Sequence, residues 1–219
     1  SGRVKKIRWV ILFSFALLCL AAAYLRLQSR PIETGETASG PLHTLPDPSL
    51  LKEGDVVLRA GKGVISALLQ KMSLHDRSFS HAGILLDSCG KWFVIHMYGG
   101  QGSSRSDLRL DPLEDYCSSR NSDSSAVFRL TEADSIRTRI AAECRRLLSQ
   151  PPRFDSRFDL STDDQLYCTE MVYKVFRKAY GDGISLPLTE FAGERYAACD
   201  DLYLNPYAHL VKTDNDHVH

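Results

Sequence analysis

The chain has 219 residues with 27 basic and 27 acidic side chains, so its formal net charge is zero. Charged residues at 25% and hydrophobic residues at 43% are ordinary for a globular protein and exclude wholesale disorder or a collagen-like chain. Six cysteines are too few for a disulfide scaffold. The charge balance argues against a protein that coats nucleic acid, and we expect no nucleic-acid partner. The net charge of zero is the sum of two unlike parts, however. Residues 1–30 carry six basic residues and no acidic one, which leaves residues 31–219 with a net charge of −6.

The first 25 residues have the pattern of a segment that directs a protein to a membrane. A basic flank, Arg3 to Arg8, precedes an apolar run of 17 residues from Trp9 to Leu25, at the short end of what spans a bilayer. A basic flank stays in the cytoplasm and sends the downstream part of the chain outward. Two interpretations stay open: a signal peptide cleaved near Ala21–Ala23, or an uncleaved anchor favoured by Arg26. Both predict a cell-envelope location, periplasmic or extracytoplasmic, and contact with the membrane.

Composition divides the rest of the chain into three parts. Residues 26–49 are rich in proline and glycine without apolar periodicity, which predicts a flexible linker. The folded domain is predicted over residues 50–212, long enough for one sizeable core. The polar residues 213–219 are predicted to be a disordered tail.

Apolar periodicity predicts the elements of the domain. In chain order they are a strand at 55–59, a short helix at 64–72, hairpin strands at 82–86 and 92–96, a strand at 126–130, a helix at 132–148, a second helix that starts after Asp164 and ends at Gly181, and a last strand within 206–212. Because strands cluster early and helices late, the predicted fold class is α+β.

A cysteine at the opening of the second long helix is the main chemical signal. Cys168 comes after the polar residues Thr162–Asp164, which could cap the helix, and backbone N–H groups at a helix start favour a thiolate and can receive an oxyanion. A nucleophilic cysteine also needs a base and an orienting partner for that base. His81 begins the first hairpin strand and His96 ends the second. The two are close only if the register of the hairpin makes these strand ends neighbours. His96 shares a face with the apolar Val94, which predicts a buried position or one at a rim.

Each of these signals has an ordinary structural alternative. A lone cysteine at a helix start is more often a packing residue, and a lone histidine on an apolar strand is more often a core residue. A metal site from His75, His81 and His96 lacks HExxH or CxxC spacing, so no metal or other cofactor is predicted. Three cysteines in loop-like context could pair in an oxidising space: Cys89, Cys117 and Cys199.

The order of the sequence blocks resembles a known family. Ser80-His-Ala-Gly-Ile84 comes first, then His96, then Phe154–Asp159, then Leu166-Tyr-Cys-Thr-Glu-Met-Val172. Over residues 50–211 this order resembles the permuted papain-fold hydrolases of the NlpC/P60 superfamily, in the YiiX/YebB-like branch, with lecithin:retinol acyltransferase as a distant relative. The resemblance implies a circularly permuted papain-like fold, a small antiparallel sheet packed on helices, here preceded by an N-terminal hydrophobic helix.

The resemblance also implies roles for individual residues. Cys168 would be the nucleophile, His81 the general base and His96 the polar third residue on the adjacent strand. Tyr167 would either line the substrate site or serve only in helix packing. The third position is often glutamate in the YiiX-like pattern and histidine in the acyltransferase branch. The expected activity is therefore a cysteine-dependent hydrolase that cleaves an amide, such as cell-wall peptide, through a thioacyl-enzyme. A lipid-directed acyl hydrolase or acyltransferase and a non-catalytic envelope binding module stay as alternatives, and the oligomeric state stays open.

Overall fold

The computed structural model describes residues 45–99 and 107–211. The predicted signal peptide or anchor over 1–25, most of the linker and the predicted tail lie outside the described residues. Within the described ranges, none of the helices has the length and apolar content that crossing a bilayer requires.

A six-stranded antiparallel sheet is the centre of the domain. Its strands are β1 (Val56–Gly61), β2 (His81–Ser88), β3 (Lys91–Met97), β4 (Leu108–Pro112), β5 (Ser122–Arg129) and β10 (His209–Leu210). They lie side by side in the order β10-β5-β1-β2-β3-β4. The predicted strands are all present in this sheet, and β4 was not predicted. Two small pairs lie beside it: β6 (Arg153–Phe154) with β7 (Gln165–Leu166), and β8 (Thr189–Phe191) with β9 (Glu194–Tyr196).

The predicted hairpin is confirmed and its register is defined. Ile84 lies opposite Ile95, and the strands turn at Cys89 and Gly90, whose φ angles of 55° and 77° are both left-handed. A two-residue turn of this kind matches the right-handed twist of the strands that it joins. The register continues to the other end of the hairpin, where it sets which side chains of β2 and β3 are neighbours.

The described part of the domain also contains the α-helices α1 (Val64–Gln70), α2 (Leu113–Tyr116), α3 (Asp134–Ser149) and α4 (Cys168–Tyr180). The larger core joins α3 and α4 to one face of the sheet and includes the fully buried side chains Leu58, Ile84, Ile95, Ile140, Val172 and Phe176. A smaller cluster covers the opposite face and includes Val57, Leu85, Val94, Leu113 and Tyr116. Alternate residues of each strand serve the two clusters, as the period of a strand requires, and the predicted α+β class is confirmed.

The start of α4 differs from the prediction. The helix begins at Cys168 rather than just after Asp164, because Gln165 and Leu166 pair with β6 as the strand β7. Tyr167 is the N-cap residue, and the Glu170 carboxylate accepts a hydrogen bond from its backbone N–H at 3.2 Å. Thr162–Asp164 therefore do not cap the helix, and the cysteine lies in its first turn.

A buried ion pair connects the start of β1 to the end of β5. Asp55 accepts hydrogen bonds from Nε and Nη2 of Arg129, both at 2.8 Å, and Arg129 is 8% exposed. The pair uses one whole edge of the guanidinium, the geometry in which arginine binds a carboxylate most strongly.

Candidate active site

The two residues at the centre of the prediction line one cavity of about 790 Å³. Cys168 is the first residue of α4 and His81 is the first residue of β2, and α4 packs against β2. The cavity therefore lies where the start of the helix meets the start of the strand. Within the described ranges, no hydrogen bond joins the Cys168 thiol to the His81 ring.

Burial controls the state of the thiol. Cys168 is 5% exposed, and burial raises its pKa above the ordinary value, although the backbone N–H groups of Ala82, Thr169 and Cys168 itself act in the opposite direction. The N–H groups at the helix start act in the direction that the sequence predicted, but desolvation outweighs them and the net shift of the pKa is upward. The same N–H groups surround the sulfur and remain available to a negative charge that forms next to it.

The two histidines of the hairpin are in contact. His81 Nε2 and His96 Nδ1 are 2.9 Å apart, and the rings meet edge to face. His96 is fully buried, as its place beside Val94 predicted, while His81 is half-buried at the cavity. The register of the hairpin thus brings the two histidines together, which the sequence predicted only for one of the possible registers.

Asp111 extends this contact to a third side chain, and the sequence pattern did not identify it. His96 Nε2 lies 2.9 Å from Asp111 Oδ2, and Asp111 is on β4, which pairs with β3. The segment Leu108-Arg-Leu-Asp111 alternates apolar and polar residues, which is the signal that could have identified the strand. The three side chains form one hydrogen-bonded row that ends at the cavity.

The row fixes where the protons are. The hydrogen bond from His96 holds the pKa of Asp111 below its usual range, so Asp111 is an acceptor only and His96 carries its proton on Nε2. His96 Nδ1 then accepts from His81 Nε2–H, which leaves the lone pair of His81 on Nδ1. Burial, with smaller effects from His96 and Arg59, lowers the pKa of His81 well below its ordinary value. His81 is therefore a neutral imidazole at neutral pH, and its acceptor nitrogen Nδ1 has no hydrogen-bond partner among the described residues.

Two further residues that the sequence pattern did not single out support this row. The Tyr116 ring packs against His96 at a centroid distance of 4.9 Å and also faces His81. Arg59 lies opposite His81 on β1, and its guanidinium is 4.1 Å from the centre of the Tyr116 ring. Tyr116 comes from α2, so the smaller cluster of the sheet holds the imidazoles in place.

Gly83 is required by the close approach of β2 and β3 beside His96. A Cβ at this position would overlap Val94 and lie 2.8 Å from the Ile95 carbonyl oxygen and 3.1 Å from the His96 Cβ. We expect Gly83→Ala to lower the free energy of unfolding by about 1–3 kcal/mol through overpacking, measured by urea denaturation. Gly183→Ala is the matched control, because its added Cβ would meet only Tyr180 at 3.8 Å. Equal denaturation midpoints for the two variants would contradict the conclusion that position 83 must be glycine.

Tyr167 lines the cavity, but its polar end is used within the protein. Its side chain is 2% exposed, and its hydroxyl accepts a hydrogen bond from the Ala197 N–H at 2.8 Å. The ring lies 4.8 Å from that of Phe158. Tyr167 therefore supplies a wall of the cavity through its ring and orients the segment around Ala197.

The other histidine and cysteine candidates lie outside this row. His75 is exposed, and its backbone N–H binds the Asp200 carboxylate at 2.8 Å. The parts of the chain that the structure covers contain no group of three side chains that could hold a metal ion. All five cysteines in those parts are free thiols, so Cys89, Cys117 and Cys199 do not form the pairs that the sequence left open.

Comparison with known proteins identifies the family and agrees with the fold. Residues 50–199 match the family described as permuted papain-like amidase enzyme, YaeF/YiiX, C92 family. The crystal structure of metalloprotein yiiX from Escherichia coli O157:H7, DUF1105, is similar with a TM-score of 0.59 and 19% sequence identity, over 73% of this chain and 96% of that one. At that identity the likeness shows the fold, and the predicted permuted papain-like fold is confirmed. The search of curated proteins gave no match.

Proposed function

Because the chain belongs to the permuted papain-like amidase family and is thus a cysteine-type amide hydrolase, we propose that it cleaves a peptide-like amide, as in cell-wall peptide, through a thioacyl-enzyme on Cys168. The observation that carries the proposal is the shared cavity of Cys168 and His81, with the His81–His96–Asp111 row behind the base. Such a nucleophile, base and orienting partner form the arrangement that acyl transfer needs.

In the first half of the reaction Cys168 becomes acylated. His81 Nδ1 takes the thiol proton as Sγ attacks the carbonyl carbon, and the developing oxyanion is received by backbone N–H groups around the sulfur. His96 and the charged Asp111 stabilise the imidazolium that forms. His81 then donates the proton to the leaving amine, the carbon–nitrogen bond breaks, and a thioester remains.

In the second half the thioester is hydrolysed. Water enters the cavity, His81 Nδ1 takes one of its protons, and the oxygen attacks the thioester carbonyl. The carbon–sulfur bond breaks, the acid leaves, and the proton on His81 returns to Cys168. The row of histidines keeps the same proton arrangement before and after the cycle.

The pH dependence of the reaction follows from a resting state in which both Cys168 and His81 are neutral. We expect the acid limb of kcat/KM to have its midpoint below pH 6.5, since the pKa of His81 is lowered and the base stays unprotonated to lower pH. We also expect alkylation of Cys168 by iodoacetamide to keep rising above pH 9, since burial raises the pKa of its thiol. The exposed Cys89 in the same chain is the reference thiol. An alkylation rate at Cys168 that is flat from pH 6 to 9 would instead indicate a resting ion pair.

The direct test is to trap the acyl-enzyme. The full chain is incubated with a panel of cell-wall peptides, simple peptide amides and acyl lipids, quenched in acid and analysed by peptide mass spectrometry. An acyl adduct on the Cys168 peptide, with release of the amine, supports the proposal. Turnover of amides without any adduct on Cys168, or the absence of turnover across the panel, would reject it.

A lipid acyl hydrolase is the second candidate, and one observation favours it. Val64 on α1 is 78% exposed and lines the cavity, and the neighbouring Leu68 is 55% exposed. An exposed apolar pair beside a reaction site can contact an acyl chain or a membrane surface. An adduct from acyl lipids alone would select this candidate over the amidase.

A metal centre does not fit these residues. The solved relative from Escherichia coli is described as a metalloprotein. Here both ring nitrogens of His96 have protein partners, His81 has one, and no group of three potential ligands is present in the described ranges. The mechanism therefore contains no step through a metal.

The proposed location is the cell envelope, on the outer side of the cytoplasmic membrane. The support is the basic flank and apolar run of residues 1–25, which would orient the domain outward. Cell-wall peptide lies on that side. Fractionation of cells that produce the full chain, with protease added to intact spheroplasts, tests this location, and a domain resistant to the protease would contradict it.

A further inference from the structure

Two buried arginines of the sheet have different partners. Arg129 and Arg59 are each 8% exposed. The Nε–Nη2 edge of Arg129 binds the Asp55 carboxylate with two hydrogen bonds of 2.8 Å. Arg59 donates only from Nη1, to the Tyr116 carbonyl oxygen at 2.8 Å, and its Nε is buried without an acceptor among the described residues. Among the described residues, the Nε–Nη2 edge that holds a carboxylate in Arg129 therefore has no acceptor in Arg59.

The position of Arg59 places its side chain at the reaction site. Arg59 lies opposite His81 in the pairing of β1 with β2, and it lines the same cavity as Cys168. The charged residues of the described lining are Arg59, Lys62 and Arg120, and this lining contains no aspartate or glutamate. Lys62 is partly neutralised by Asp123 at 3.5 Å. The cavity is therefore basic, although residues 31–219 have a net charge of −6.

Burial of a guanidinium without a counter-charge is unfavourable. Removing an ion from water costs several kcal/mol in proteins unless an opposite charge and good hydrogen bonds offset the cost. Stacking on Tyr116, one carbonyl oxygen and the longer-range attraction of the Asp111 carboxylate, which makes no direct hydrogen bond to Arg59, offset part of it. A planar carboxylate on the Nε–Nη2 edge would supply both the charge and the hydrogen bonds, as Asp55 does for Arg129.

We infer that Arg59 is a substrate-recognition residue that binds a carboxylate of the amide substrate close to the cleaved bond. The inference rests on the proposed function for the identity of the nucleophile. It narrows the substrate class to acyl donors that carry a free carboxylate near the reacting carbonyl, such as peptides with an acidic residue or a free C-terminus beside that bond. Uncharged acyl donors would be poor substrates.

The test compares two reagents that differ only in this charge. The full chain is alkylated at pH 8.5 with iodoacetate or with iodoacetamide, and the rates at Cys168 and at the exposed Cys89 are followed by peptide mass spectrometry. At this pH His81 is neutral and does not itself attract the anion. We expect the ratio of the iodoacetate rate to the iodoacetamide rate to be at least about tenfold higher at Cys168 than at Cys89, the size of one charge-assisted hydrogen bond.

Variants test whether the preference of Cys168 for iodoacetate depends on the Arg59 side chain. Arg59→Met should bring the ratio at Cys168 to that at Cys89, and Arg59→Lys should retain part of the preference, because charge remains without the planar edge. Arg177→Met makes the same substitution on the exposed last turn of α4 and should leave the ratio unchanged. Equal ratios at Cys168 and Cys89 in the unaltered chain, or an equal loss in the Arg59 and Arg177 variants, would overturn the inference.

A second measurement does not depend on the cysteine. At equal ionic strength, 100 mM sodium acetate in place of chloride should raise the melting temperature by about 2–4 °C in the unaltered chain and not in Arg59→Met. If Cys168 reacts with neither reagent, the proposed nucleophile is rejected while the acetate shift still decides the carboxylate site. Arg59→Lys covers the case in which Arg59→Met does not fold, since it should keep a smaller shift. The absence of an acetate-specific shift in the unaltered chain would contradict the site.

Discussion

Replacing Cys168 with serine is expected to lower amide hydrolysis by roughly 10⁴-fold or more and to abolish the acyl adduct on the enzyme. The substitution keeps the size and hydrogen-bonding capacity of the side chain but removes the more acidic, more nucleophilic sulfur. His81 is neutral with a lowered pKa, so it is a weak base that can accept a proton from a thiol more readily than from an alcohol. The measurement is kcat with the best substrate of the panel, with the acyl-enzyme followed by mass spectrometry.

The chain contains a matched control for this experiment. Cys199 also lines the cavity and, like Cys168, is 5% exposed, but it does not begin a long helix. Burial raises the pKa of its thiol well above the ordinary value. Cys199→Ser should therefore keep kcat within a few-fold of the unaltered chain. Retained turnover in Cys168→Ser, or an equal loss in Cys199→Ser, would remove Cys168 from the proposed role.

The second large effect is expected at Asp111, the residue at the outer end of the row. We expect Asp111→Asn to lower kcat by about 10²–10⁴-fold while KM changes little, because a carboxylate that orients a catalytic histidine acts through its tautomer and its charge. An asparagine amide can donate to His96 Nε2. The row can then reverse, which places a proton on His81 Nδ1 and removes the acceptor that Cys168 needs. The imidazolium formed during acylation also loses its counter-charge.

Asp111 acts through the two histidines and is a positioning residue, so the separation of kcat from KM is the informative readout. Glu114→Gln is the control, because it neutralises an exposed carboxylate on α2 near the same end of the sheet. Asp111→Glu should recover part of the lost rate, since it restores an acceptor of the same charge. Equal decreases of kcat in Asp111→Asn and Glu114→Gln, or a change in KM with kcat unaltered, would exclude the proposed proton arrangement.

The sequence predicted those parts of the site that depend on local pattern. The apolar run Trp92-Phe-Val-Ile-His96 predicts the strand, and the two-residue period of a strand gives the face of His96. The turn Asp87–Gly90 predicts the hairpin that brings His96 to His81. The apolar face of α4 likewise predicted a helix near Cys168. In each case neighbours within a few residues determine the local conformation, so a single sequence is enough to predict it.

The missed parts depend on pairing between distant segments. Asp111 reaches His96 only because β4 adds to β3. The later start of α4 results from the pairing of β7 with β6, and the protonated thiol of Cys168 results from burial that the helix start alone does not reveal. Arg59 was within a predicted strand, but its lack of a carboxylate partner is a property of the assembled cavity.

The order of the site residues along the chain has a consequence for how the enzyme is made. His81, His96 and Asp111 all precede Cys168, and strands β1 to β5 are synthesised before α4. Because chains emerge from the ribosome N-terminus first, the base and both of its partners exist before the nucleophile does. Here the reactive sulfur is the last of the four groups to be added, so in a growing chain it meets a base whose partners have already been made.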